Sequence, residues 1–379
     1  MKGKNIDIEV LRGVAIIITI YAHLRILFPW SPPWFENSLS YFATSVGVDL
    51  FFCISGYVIT RSIYNRDIKS QTFIAFSLPF WIRRMWRLWP TAFAWIIIGL
   101  ISAKYINWNN SFYPFENTVY SSIAAVLQVA NVYYPYCIEK NICGSNLVYW
   151  SLSLEEQFYF IFPFLIYFLK KRTLTSILLL AISLQFFIFR HGVSIEWVMR
   201  TDAICAGVLL ALFEQRLMIK NIPDFMHKKY FGWITFITSF VCIWMIPATH
   251  FGAMAGVVCA LCFILVYIAA NDKITLIPNG FIKRFFIYLG GRSYAIYVCH
   301  EVIFRWIREF YSKTTGNIQP DSTQTFLFAS SAIILIFVFA EANYRLLEVP
   351  FRNKGREIAE KIKNKYCSPL IGSPHCPTN

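Results

Sequence analysis

The stretch IEVLRGVAIIITIYAHLRILF (residues 8–28) decides how this chain is read. Its middle is a run of apolar and β-branched residues with helical rhythm. At 1.5 Å per residue, ~20 residues cross the roughly 30 Å hydrocarbon layer of a bilayer. Arg12 stands near its start and His23 deep inside it. Ionisable groups in hydrocarbon are costly, and they persist where something compensates or uses them. No small-residue cleavage site follows, so the segment reads as a retained helix rather than a signal peptide.

The rest of the chain agrees. It is 57% hydrophobic and only 15% charged, against about a quarter charged in soluble domains. That composition leaves too little charge to cover a soluble surface. Aromatic residues make up 18% of the chain, as expected of interfacial belts. The net charge of +14 is assigned to loops on one membrane face, not to a nucleic-acid partner.

Apolar runs predict spans near residues 13–29, 42–60, 88–103, 147–169, 173–190, 200–214, 230–247, 251–270, 285–304 and 325–346. The run 118–135 carries Gln128, Asn131 and Pro135 and is expected not to cross. With that choice, and with the N-terminus cytoplasmic, most Lys and Arg residues fall on the inner side; counting 118–135 as a span would put Lys170, Lys171 and Arg172 outside. The expected fold is therefore all-α: a polytopic transmembrane bundle of about ten spanning helices and one non-spanning helix, both termini cytoplasmic. Residues 1–352 form the membrane domain, and 353–379 a basic, loosely ordered cytoplasmic tail. No internal repeat is visible. Most cysteines lie in apolar runs and read as packing residues, including the Cys259/Cys262 pair. Cys137 and Cys143 share a polar loop, and a disulfide is expected if that loop faces an oxidising compartment.

The ionisable residues within or beside spans are the functional candidates. His23 lies about 16 Å along a helix from Arg12, and an imidazole there is either a proton acceptor or a structural donor. Arg84 and Arg87 share a helix face behind Arg83, suited either to gripping phosphates or to anchoring at the interface. Asp49 opens the second span, beside the Ser55-Gly56 pair, which suits close helix packing. Glu155 and Glu156 point about 100° apart, so one site is not expected to use both. His300 continues the face of Tyr294 and Tyr297.

Read in order, IDIEVLRGVAIIITIYAHL, GVDLFFCISGYVIT, RRMWRLWP, WSLSLEEQFY, SYAIYVCH and EVPFR resemble the motifs of the membrane acyltransferase-3 family over about residues 5–352. The resemblance implies a bacterial inner-membrane enzyme that takes an acyl group, usually acetyl, from cytoplasmic acyl-CoA. It passes the group to a surface carbohydrate or lipid-linked glycan such as O-antigen, exopolysaccharide or peptidoglycan. Some members carry a fused SGNH domain; here a stand-alone form is expected. The family's functional Arg and His map onto Arg12, His23, Arg84 and Arg87. The expected roles are donor binding by Arg12, Arg83, Arg84 and Arg87, and catalysis by His23 as general base or acyl carrier. Asp49, Glu156 and His300 are expected to orient imidazole or sugar. Acetyl-CoA is the expected co-substrate, and no metal is expected. The rival reading is a transporter or flippase whose intramembrane charges line a path.

Overall fold

The computed structural model describes residues 5–41, 45–64, 68, 71–190, 192–214, 229–246, 251–271 and 275–367. Among these residues every regular element is helical. The principal helices are α1 (Ile6–Ala22), α2 (Val46–Tyr64), α3 (Phe73–Tyr105), α4 (Phe115–Val126), α5 (Ala130–Lys140), α6 (Tyr149–Phe168) and α7 (Lys171–Phe186). They continue with α8 (Asp202–Leu212), α9 (Lys229–Trp244), α10 (Phe251–Ala270), α11 (Phe281–Thr315), α12 (Thr325–Asn343) and α13 (Val349–Cys367). Each of the ten expected spans overlaps one of these helices, with residues 42–44 and 247 outside those described. Four segments, Ile6–Leu27, Val46–Tyr64, Phe73–Tyr105 and Ser322–Tyr366, are long and apolar enough to cross a membrane by length and composition. The bundle turns large apolar side chains outward, among them Ile97 and Ile101 of α3, Leu180 and Leu184 of α7, and Ile333 and Ile334 of α12. Such a surface suits lipid and would be a liability in water.

Two glycine contacts set the arrangement. A Cβ on Gly13 would lie 2.3 Å from the Phe286 carbonyl oxygen, and one on Gly290 would lie 1.9 Å from the Glu9 carbonyl oxygen. α1 and α11 therefore touch backbone to backbone, as small residues permit in membrane bundles. Lys283 pairs with Asp7 at 2.8 Å near the start of both helices, and His300 meets His23 further along both, so the two run parallel. Gly56 of α2 and Gly207 of α8 make the same kind of contact, against the carbonyls of Ile204 and Cys53. The Asp49–Arg200 and Arg61–Glu214 ion pairs flank it in parallel order.

The structure departs from the expected outline in three places. α1 does not continue through His23. The His23 N–H reaches both Thr19 O (3.3 Å) and Ile20 O (3.0 Å), and its backbone (φ −91°, ψ 1°) tightens the turn before a short helix at Leu24–Leu27. The run 118–135 is split between α4 and α5 at residues 127–129, where Gln128 takes φ 58°. Asn131 and Gln157 satisfy each other's amides there. The basic stretch 353–367, expected to be loosely ordered, belongs to α13; residues 368–379 lie outside those described. α13 is held on α3 by Phe351 against Trp86 (ring centroids 5.9 Å apart) and by Gly355, whose Cβ position lies 2.4 Å from Trp86 Cβ. A π-helical turn, Tyr344–Glu348, joins it to α12, so the boundary drawn at residue 352 cuts through a helix. Cys137 and Cys143 form a disulfide.

Gly290→Ala is expected to force α1 and α11 apart and destabilise the protein by about 1–3 kcal/mol, the usual cost of overpacking. The measurement is the midpoint of thermal unfolding in detergent. An unchanged midpoint would show that this contact does not hold the bundle together.

Candidate active site

Five helices converge on a narrow cavity of about 80 Å³. With one water position needing ~10–15 Å³, it has room for several water-sized groups. One wall is basic: Arg12 from α1 and Arg84 and Arg87 from α3. Arg12 is held by Glu9 (2.9 Å), one helical turn away. The Arg84 guanidinium lies against the rings of Phe80 (5.6 Å) and Tyr159 (5.3 Å). The Nε of Arg87 is buried and has no hydrogen-bond partner, so it is a donor without an acceptor of its own. Phe80, Arg84 and Arg87 stand at i, i+4 and i+7, which puts them on one face of α3.

The opposite wall is acidic and hydroxylic. Glu155 of α6 accepts hydrogen bonds from Ser55 of α2 and from Tyr159 one turn on. Ser151, Glu155 and Tyr159 recur every four residues, so they form one stripe of α6 facing the cavity. The cavity ends at Tyr297 of α11. Its hydroxyl donates to Val148 O (2.7 Å), so the Ser151 hydroxyl, 2.6 Å away, donates to the Tyr297 oxygen.

One turn beyond Tyr297, the two histidines meet. His300 is fully buried, and its Nδ1 lies 2.6 Å from the Tyr297 carbonyl. A carbonyl oxygen only accepts, so this Nδ1 carries a proton. In neutral His300 the Nε2 is then an acceptor, and it lies 2.9 Å from His23 Nδ1. His23 must donate there, and the proton is assigned by the network. That leaves His23 Nε2 with a free lone pair. The break in α1 at His23 turns the ring to lie nearly parallel to His300, centroids 5.0 Å apart. The equal spacing from Gly13 to His23 and from Gly290 to His300 brings both rings to one level.

Of the expected site residues, the structure gathers Arg12, Arg84 and Arg87 at the cavity and pairs His23 with His300. It does not bring the others there. Arg83 is not among the cavity-lining residues. Glu156, chosen over Glu155 from the sequence, accepts from Trp89 Nε1 at 3.2 Å and ties α6 to α3; Glu155 takes the cavity position. The stripe of Ser151, Glu155 and Tyr159 is the available signal, but Ser153, Glu156 and Gln157 put polar groups on the other faces of α6 as well, so the sequence alone does not choose between them. Asp49 forms an ion pair with Arg200 (3.2 Å), whose guanidinium lies against the rings of Trp150 (5.2 Å) and Trp197 (4.7 Å), themselves in contact. Beside it Arg190 pairs with Asp202 at 2.8 Å. This neutral, buried set holds the segment before α8 against α2 and α6.

Comparison with known proteins gives the same direction. Residues 5–341 match the acyltransferase-3 family, described as an acyltransferase domain. The chain is 25% identical to a peptidoglycan O-acetyltransferase of Listeria monocytogenes over 92% of its own length and 56% of the relative's. It is 26% identical to an O-acetyltransferase of Staphylococcus aureus strain NCTC 8325 over 91% of its length and 57% of the relative's. A protein of Staphylococcus aureus strain COL aligns with the same identity and coverage. The chain thus spans little more than half the length of these curated relatives. No solved structure gives a significant match.

Asp49→Ala is expected to leave Arg200 with its charge buried and to destabilise the protein by about 3–5 kcal/mol. Glu156→Gln, which keeps an acceptor for Trp89, is expected to cost far less. Monodisperse yield and thermal unfolding in detergent check both; equal losses would refute the division between the ion cluster and the α3–α6 contact.

Proposed function

This chain belongs to the acyltransferase-3 family, and from that premise we propose that it is a multi-pass membrane O-acyltransferase. It takes an acyl group, acetyl above all, from acyl-CoA at the cytoplasmic face. It delivers the group to a hydroxyl of a glycan on the other side of a bacterial inner membrane. The single observation that carries the reading is the His23–His300 pair with its free Nε2, set beyond a cavity whose far wall is arginine.

The arginines supply the donor end. Arg84 and Arg87, with Arg12 beside them, bind the CoA phosphates, where charge-assisted and bidentate contacts are strongest. The cavity between the arginines and Tyr297 takes the pantetheine arm, which requires the Tyr297–Ser151 layer to open towards the imidazoles. His23 Nε2 accepts the proton of the acceptor hydroxyl as its oxygen attacks the acyl carbonyl carbon. The carbon–sulfur bond breaks, and His23 returns the proton to the sulfur, so the products are the glycan ester and free CoA. His300 Nε2 accepts from His23 throughout and favours the charged imidazole as it forms. Glu155, bridging Ser55 and Tyr159, keeps α2 and α6 in place around the arm.

Topology supports a transmembrane path. Parallel helices are separated by an even number of crossings. The parallel pairs α1/α11 and α2/α8 therefore favour ten spans with α4 and α5 folded back, which puts both termini on one side; the distribution of Lys and Arg favours the cytoplasmic side. The Cys137–Cys143 disulfide favours an oxidising, outer side for the loop after α5. The Listeria relative's name makes peptidoglycan a candidate acceptor beside O-antigen and exopolysaccharide.

His23→Ala is expected to lower glycan O-acetylation about 10²–10⁴-fold, the range of a lost general base, in membranes where the protein is still inserted. Mass spectrometry of surface glycans reads the outcome, and full acetylation would sink the assignment. Arg84→Ala combined with Arg87→Ala is expected to weaken acetyl-CoA binding at least about tenfold, measured on purified protein. Unchanged donor affinity would refute the phosphate role.

A further inference from the structure

Beyond His300, α11 carries three more buried charges: Glu301, Arg305 and Glu309, exposed by 3%, 3% and 0%. Glu309 is committed to structure. It accepts the backbone N–H groups of Asn109 (2.8 Å) and Ser111 (2.6 Å) and so clamps the loop after α3 onto α11. Arg305 donates to Ser111 O in the same loop and to Glu301 Oε1, from Nε at 3.2 Å and Nη2 at 2.5 Å. Five N–H donors make up a guanidinium, so donors remain. Over it, 4.9 Å from the guanidinium carbon, lies the ring of Tyr113. Tyr113 is 39% exposed and holds φ 60°, a left-handed conformation that is strained for an aromatic residue and typical of functional positions.

Glu301 uses only part of its carboxylate: Oε1 accepts from Arg305, but Oε2 is buried with no hydrogen-bond partner. A buried carboxylate oxygen left in that state is disfavoured unless a partner arrives. Glu301 directly follows His300 in α11, and Arg305, which it pairs with, stands one turn further along the same helix. The unused acceptor and the spare donors therefore follow the imidazole pair along α11, on the far side from Tyr297 and the arginine-lined cavity.

We propose that Glu301, Arg305 and Tyr113 form the acceptor subsite and that it takes a polyhydroxylated ring. Glu301 Oε2 accepts a hydroxyl next to the one being acylated, Arg305 donates to a ring or hydroxyl oxygen, and Tyr113 lies against the apolar face of the sugar. A simple alcohol would offer no partner to Oε2, so the subsite selects carbohydrate and fixes which hydroxyl meets His23. This rests on the acyltransfer reading above.

The test uses the full chain in membrane vesicles, with acetyl-CoA as donor and base-treated, de-O-acetylated envelope carbohydrate of the producing cells as titrated acceptor. Glu301→Gln is expected to raise the acceptor needed for half-maximal transfer about tenfold, and Tyr113→Ala several-fold, as lost polar and stacking contacts do. Acetyl-CoA affinity should stay within about twofold of wild type in both, the pattern of uniform binding lost at one site only. Unchanged half-saturation in both variants overturns the subsite, as does a parallel loss of donor affinity, which would mark a structural role. Wild-type vesicles that transfer no acetyl group overturn the parent reading and the subsite with it.

Discussion

The backbone contact between α1 and α11 governs the rest of the molecule. Gly13 and Gly290 let two helices approach until carbonyl oxygens fill the space of missing Cβ atoms. Inside a membrane the hydrophobic effect does not drive helices together, because lipid tails are as apolar as the side chains; close packing and polar contacts must do so. Here the packing also sets register. Once the glycines lie level, His23 and His300 lie level, and the hydrogen bond between them follows. The equal spacing matters more than either histidine alone, since a shift of one residue would turn a ring by about 100° out of the pair.

Charges inside the bundle divide by what they meet. Asp49, Arg190, Arg200 and Asp202 form opposite-sign pairs with little exposure, which makes them costly to break. Arg84 and Arg87 lie instead at a cavity, with aromatic faces rather than carboxylates beside Arg84 and a buried Nε without a partner on Arg87. His23 keeps a free lone pair because the chain of donors through Tyr297, His300 and His23 runs in one direction only. Position at the cavity, rather than pairing with an opposite charge, distinguishes the groups open to a ligand from those that hold the fold.

Much of the site is legible in the sequence. Arg12, His23, Arg84, Arg87 and His300 stand out because ionisable residues in apolar runs are expensive, and the ordered motifs place them in one family. Phase and partnership are not legible there. Glu155 and Glu156 are adjacent in an apolar helix, and only the neighbours of α6 decide that Glu155 faces the cavity while Glu156 meets Trp89. Asp49 carries the same expectation as any buried carboxylate until Arg200, 151 positions away in the chain, arrives beside it.

The sequence by itself determined the solvent and the elements: composition and ~20-residue apolar runs require helices in lipid, because every backbone group must be satisfied within its own segment. It also determined which residues were too costly to be idle. Only the tertiary structure decided which helices run parallel, which imidazole donates to which, and that α13 packs on α3 instead of trailing away. These are matters of contact between segments far apart in the chain, and the energy that selects them lies in interhelical packing and hydrogen bonds that no local pattern encodes.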